Sequence, residues 1–200
     1  MILIAFFIAG FGLCAAKRAA LYTPKPLNST ILYERTYNMV RRTDTLRLLM
    51  FSPGIENKVP NCLISKYLSK AKGVAHRTLE TNFIDKEETL HSVKSHVRIA
   101  VTNASQPYLQ IAYEKGSLAT DWTYAQDVKY AIPKKCIILE HSFSEVSGRR
   151  HPCTLWGYKH SITCQKIFVL NCGLGRVVNL TKCTKAEKKK GKPKKGSESG

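Results

Sequence analysis

The chain has 200 residues, with 32 basic against 14 acidic side chains and a net charge of +18. That length supports one hydrophobic core rather than two. No apolar run is long enough to span a bilayer, and no recognisable nucleic-acid-binding motif accompanies the charge.

The first sixteen residues read as a signal peptide. Twelve successive apolar or glycine positions run from Ile2 to Leu13, followed by the small residues Cys14, Ala15 and Ala16. The mature chain is therefore expected to be soluble, secreted and extracellular. Cys14 leaves with the leader, so six cysteines remain: Cys62, Cys136, Cys153, Cys164, Cys172 and Cys183. An even set in an exported chain implies three disulfides, with fifteen connectivities open to the sequence alone. Neither Cys-x-x-Cys nor His-Glu-x-x-His spacing occurs, so a zinc site is not expected, nor any other metal or cofactor. Three glycosylation sequons, at Asn28, Asn103 and Asn179, fit the same route and predict surface positions.

From residue 17 to 184 the pattern is one of short alternating segments broken by turn residues. Ile31 to Met39 reads as a first strand with Tyr33, Arg35 and Tyr37 on one face. Cys62 to Leu68 follows the loop Ser52-Pro53-Gly54. Val74 to Glu80 and Val97 to Val101 alternate. Tyr108 to Tyr113 leads into the turn Lys115-Gly116-Ser117, and Trp122 to Tyr130, Lys135 to His141 and Cys153 to Tyr158 follow. These make about eight strands without long intervening helices, which favours an antiparallel barrel or sandwich. Ile162 to Leu170 is apolar at mixed spacing and predicts one short helix against the barrel. Residues 185–200 hold seven Lys and two Glu among Gly, Pro and Ser, a composition that cannot bury a core and predicts a disordered basic tail. Such a tail suits solubility or attraction to glycosaminoglycans and other extracellular polyanions.

The order of these residues carries a resemblance. Arg35-Thr36-Tyr37, Asn61-Cys62, Tyr130 six residues before Cys136, Cys153-Thr154-Leu155-Trp156, Cys164, Phe168, Cys172-Gly173 and a closing Cys183 together resemble the tick salivary lipocalins of the histamine-binding family. The likeness runs from about Leu32 to Cys183. It implies an eight-stranded up-and-down barrel with a C-terminal helix, and the pairings Cys62–Cys183, Cys136–Cys164 and Cys153–Cys172. It also implies a function without chemistry, in which a small host mediator, an amine such as histamine or serotonin, is held in the barrel away from its receptors.

For an amine, a buried carboxylate must meet the ammonium while aromatic faces supply cation–π contact. Amine-binding members carry acids at the positions that Ile137 and Thr154 occupy here, so this chain lacks both. Tyr37, Tyr113 and Trp156 match family aromatics, and Tyr124 lies near another. Period two sets Thr154 and Trp156 on one face, so the resemblance implies a pocket of aromatic and hydroxyl groups. Glu34, Glu80, Glu114 and Asp127 are the acids that could substitute. Arg35, on the predicted face of Tyr33 and Tyr37, would suit a ligand carboxylate and hence a leukotriene, thromboxane or fatty acid. The expected site is therefore Tyr37, Tyr113, Tyr124, Thr154, Trp156 and Arg35 around an open cup, in a monomer.

Catalysis finds little support. No Gly-x-Ser-x-Gly elbow or phosphate-cradling loop occurs, the cysteines are expected to be paired, and the His91 and His96 spacing has no strong metal meaning. Glu87-Glu88 reads as a solvated loop. The rival to a ligand carrier is a cationic interaction protein whose barrel is only a scaffold for glycosaminoglycans or a host protein.

Overall fold

The computed structural model describes residues 25–60, 62–84, 86–118, 124–141 and 151–184. The expected leader, the lysine-rich tail and Trp122 lie outside the described residues.

Two helices and ten strand segments follow in chain order: α1 (Ser29–Val40), β1 (Leu46–Phe51), β2 (Ile64–Ser65), β3 (Tyr67–Ala71), β4 (Val74–Ile84), β5 (Leu90–Thr102), β6 (Tyr108–Gly116), β7 (Ala125–Ile132), β8 (Cys136–His141), β9 (Cys153–Gly157), α2 (Ile162–Cys172) and β10 (Arg176–Val177). A 3-10 turn over Pro53–Lys58 follows β1. Strands β1, β2/β3 and β4 to β9 are antiparallel neighbours, and β1 pairs with β9, Leu48 opposite Trp156, so the sheet closes on itself. This is an eight-stranded up-and-down barrel in which β2 and β3 form one interrupted strand. Closure leaves the barrel without long free edges.

The first predicted strand is a helix. Ile31 to Met39 alternates in composition, but Leu32, Thr36, Met39 and Val40 also recur at helical spacing, and these are the residues α1 buries. Asn28 decides the local contest: its side-chain oxygen accepts from the Ile31 amide at 2.8 Å and caps the helix. The buried stripe then packs on β5 and β7 and shuts one end of the barrel. The segment expected as one strand from Cys62 to Leu68 is also broken. Cys62 takes φ 54° and β2 covers only two residues.

Alternation sorts the barrel into an inside and an outside. Leu79, Val97, Ile99, Leu109, Val128, Ile137 and Trp156 point inward and form the main core. Cys136, Ile138, Cys153 and Leu155 point outward, where Cys164, Ile167, Phe168 and Cys172 of α2 cover them. Helix α2 is where the mixed apolar spacing places it. Ser161 caps its start, its side chain accepting from the Cys164 amide, and the positive φ of Gly173, 83°, ends it. Disulfides Cys136–Cys164 and Cys153–Cys172 tie both ends of α2 to β8 and β9, and Cys62–Cys183 holds the C-terminal segment across 121 residues. This pairing is the one the resemblance implies. No helix among the described residues is long and apolar enough to cross a membrane.

Candidate functional site

At the closed end, one side chain organises the floor of the barrel. Arg77 follows Ala75 and precedes Leu79 on the inward face of β4, and it is fully buried. All five of its N–H donors are used. Nε donates to Ser65 Oγ at 3.0 Å, one terminal nitrogen to the carbonyls of Val40 and Arg42 at 3.0 and 2.7 Å, and the other to those of Asp44 and Ser65 at 2.7 and 2.9 Å. The Val40 carbonyl ends α1, where the helix dipole favours a cation. Burial pushes the Arg77 guanidinium down to about 10, still far above neutral pH, so the charge stays. Arg77 thus fastens the end of α1 and the approach to β1 onto β2 and β4.

Above this floor lies a cavity of about 40 Å³ among Val40, Leu46, Leu79, Ile99, Ile137 and Trp156, with Ser65 and Gln126 its polar lining residues. Ile137 and Trp156 are direct cross-strand partners. No charged side chain lines the cavity among the described residues. The four acids considered as substitutes all lie elsewhere. Glu34 is exposed on α1. Glu114 is exposed and pairs with His76 at 3.2 Å. Glu80 is buried on the outward face of β4 with Lys66 Nζ at 2.9 Å and Lys94 Nζ at 3.8 Å. Asp127 alternates with the inward Gln126 and Val128.

Towards the mouth the interior turns polar. The Trp156 indole donates to Thr154 Oγ1 at 3.2 Å, and Thr154 Oγ1 lies 3.4 Å from His141 Nε2, all three residues being buried. Ser95 Oγ donates to the Leu118 carbonyl at 2.7 Å and accepts from the Leu118 amide at 2.8 Å. That clasp draws Leu118 into the barrel core. Gly116, with φ 115°, makes the turn possible, because any side chain there would collide with the backbone of Lys94 and Ser95.

The expected site residues divide. Thr154 and Trp156 share the inward face as period two requires, and Trp156 lines the cavity. Tyr113 packs against the core and meets Tyr124 edge-on at 5.5 Å, with Tyr124 half exposed. Tyr37 and Arg35 sit on α1 rather than on a strand, and Tyr37 packs against the same core from the helix. Tyr37 stacks on Tyr33 at 5.6 Å and lies under Arg41, whose guanidinium also donates to its hydroxyl. Arg35, two residues from each tyrosine and so turned away on a helix, donates to the Ala131 carbonyl at 3.1 Å. Where an open cup was expected, the described residues enclose a cavity of about 40 Å³ in the barrel interior. Asn28, Asn103 and Asn179 are exposed, as surface sequons must be, and the Asn179 side chain accepts from the Lys182 amide. Arg77, Ser95 and His141 were missed by sequence reading, although inward alternation with Ala75 and Leu79, with Val93 and Val97, and with Ile137 and Leu139 marks all three. No group of three metal-ligating side chains occurs among the described residues.

The arrangement is that of the lipocalin fold: a closed antiparallel barrel, a helix across one end and a second helix on the wall. Among solved structures, the chain is similar to Japanin from Rhipicephalus appendiculatus bound to cholesterol, with a TM-score of 0.55 and 16% identity, over 70% of this chain and 93% of that one. It is also similar to lobster apocrustacyanin A1, with a TM-score of 0.48 and 13% identity over 77% and 82%. No protein-family model matches the chain, and no curated protein matches it.

Proposed function

We propose that this protein is an extracellular carrier that sequesters a small, uncharged, largely apolar molecule in its barrel and performs no chemistry on it. One observation carries the reading: the cavity is walled by aliphatic side chains and Trp156, with Ile137 directly opposite, and no carboxylate among the described residues reaches it. An ammonium placed there would lose its hydration without an ionic partner, a cost of several kcal/mol. An apolar body gains about 25 cal/mol for each Å² removed from water. Ser65 supplies one polar contact. Its oxygen already accepts from Arg77, which leaves its hydroxyl hydrogen to donate to a ligand oxygen. Cholesterol, the ligand of the Japanin structure, has this character.

A cavity of about 40 Å³ is far below the roughly 300 Å³ at which small-molecule pockets begin. Binding therefore requires the interior to widen, and the reading places that widening at the mouth beside Leu118, which the Ser95 clasp and the Ser117 amide on the Lys94 carbonyl hold against the core. The purpose is removal of a host mediator from its receptors. The test is titration of the secreted protein with cholesterol and with histamine, followed by native mass spectrometry. Saturable cholesterol binding lost in Ile137→Trp, which fills the cavity, supports the reading. Saturable histamine binding without sterol binding overturns it.

A further inference from the structure

A second concavity stands outside the barrel interior. At the mouth, the end of β1, the 3-10 turn, the end of β4 and the segment held by Cys62–Cys183 enclose a groove of about 850 Å³. Its size falls within the roughly 300–1,000 Å³ of small-molecule sites. Phe51, Val59, Phe83 and Val177 give it apolar walls.

Its charge is asymmetric in a usable way. Glu56 is taken by Arg176, with which it forms an ion pair. Lys86 and Lys182 also line the groove, and neither ammonium is in an ion pair among the described residues. With Glu88 the described groove residues carry three positive and two negative side chains. Apolar walls bordered by two lysines that form no ion pair among the described residues describe a receptor for an amphipathic monoanion. The geometry points to this groove as a second ligand site, one that holds a long-chain carboxylate with its chain against Phe51 and Phe83 and its head at Lys86 and Lys182.

This site shares no lining residue with the barrel cavity and takes a charged head group where the cavity takes an uncharged molecule. It also replaces Arg35 as the cation for an acidic lipid, since Arg35 is committed to the Ala131 carbonyl.

The experiment is a fluorescence titration of the full mature chain with 11-(dansylamino)undecanoic acid and with its methyl ester. The acid is expected to saturate, to bind at least about fivefold more tightly than the ester, and to weaken as salt rises from about 0.05 M to about 0.5 M. Lys86→Glu with Lys182→Glu weakens the acid about fivefold or more, while the melting temperature stays put because both side chains lie on the surface. Ile137→Trp and removal of residues 185–200 leave acid binding within twofold. Unchanged affinity in the double lysine variant overturns the site. Loss in Ile137→Trp would assign the acid to the barrel, and loss on removal of the tail would assign it to the tail, and either result also overturns it.

Discussion

The two ends of this barrel are built on different rules. At the closed end a helix and a buried guanidinium are joined to β2 and β4 by five hydrogen bonds. At the mouth the interior becomes hydroxyl- and imidazole-lined, one leucine is drawn in by a single serine, and a groove faces solvent. In the carrier proposed above, the closed end would fix the shape of the cavity and the mouth would be where it widens.

The contrast can be broken most severely by cutting the covalent tie at the mouth. Replacing Cys62 and Cys183 by Ala removes a cross-link spanning 121 residues. In the chain-entropy model that costs about 4 to 5 kcal/mol, read as a lower urea midpoint, and the groove should lose its fatty-acid probe at the same time. At the closed end, Arg77→Ala orphans four carbonyls and a hydroxyl and should cost about 3 to 5 kcal/mol. Protection from hydrogen exchange should fall first in α1, and if α1 stays protected the arginine does not hold the floor. Leu118→Ala should cost about 2 kcal/mol and speed sterol uptake in stopped flow, whereas unaltered uptake would place the gate elsewhere. The smallest effect concerns Tyr158, whose phenol burial pushes up from its ordinary value. The folded chain keeps it neutral after the unfolded chain begins to ionise, so its stabilisation is complete below about pH 10 and is lost as pH rises through the folded value. Tyr158→Phe should therefore lessen the alkaline loss of stability seen in melts between about pH 9 and 11, and a parallel pH profile would remove Tyr158 from the account.

Most strands were legible because an inside and an outside impose period two, and Val97 to Val101 or Cys153 to Gly157 obey it without interruption. Ile31 to Met39 was misread because its alternating tyrosines mask the stripe Leu32, Thr36, Met39 and Val40. Asn28 three residues before Ile31 was the available signal. Inward placement was legible on strands, where period two sets Thr154 and Trp156 on one face. It was illegible where it depended on the helix, since Tyr37 and Arg35 change direction when the period changes from 2 to 3.6. Cavity size was beyond reach for a different reason: it is set by how side chains from every strand meet, and no local pattern records that.

Helix α2 has one further consequence. It carries apolar residues on its solvent side as well as on its buried one, with Ile162, Val169 and Leu170 exposed. Sulfur bonds at Cys164 and Cys172 anchor it near either terminus, so its seat on the wall does not depend on an amphipathic contrast. That stretch of surface is released from folding duty, and its side chains can drift towards whatever the exterior of the molecule has to meet.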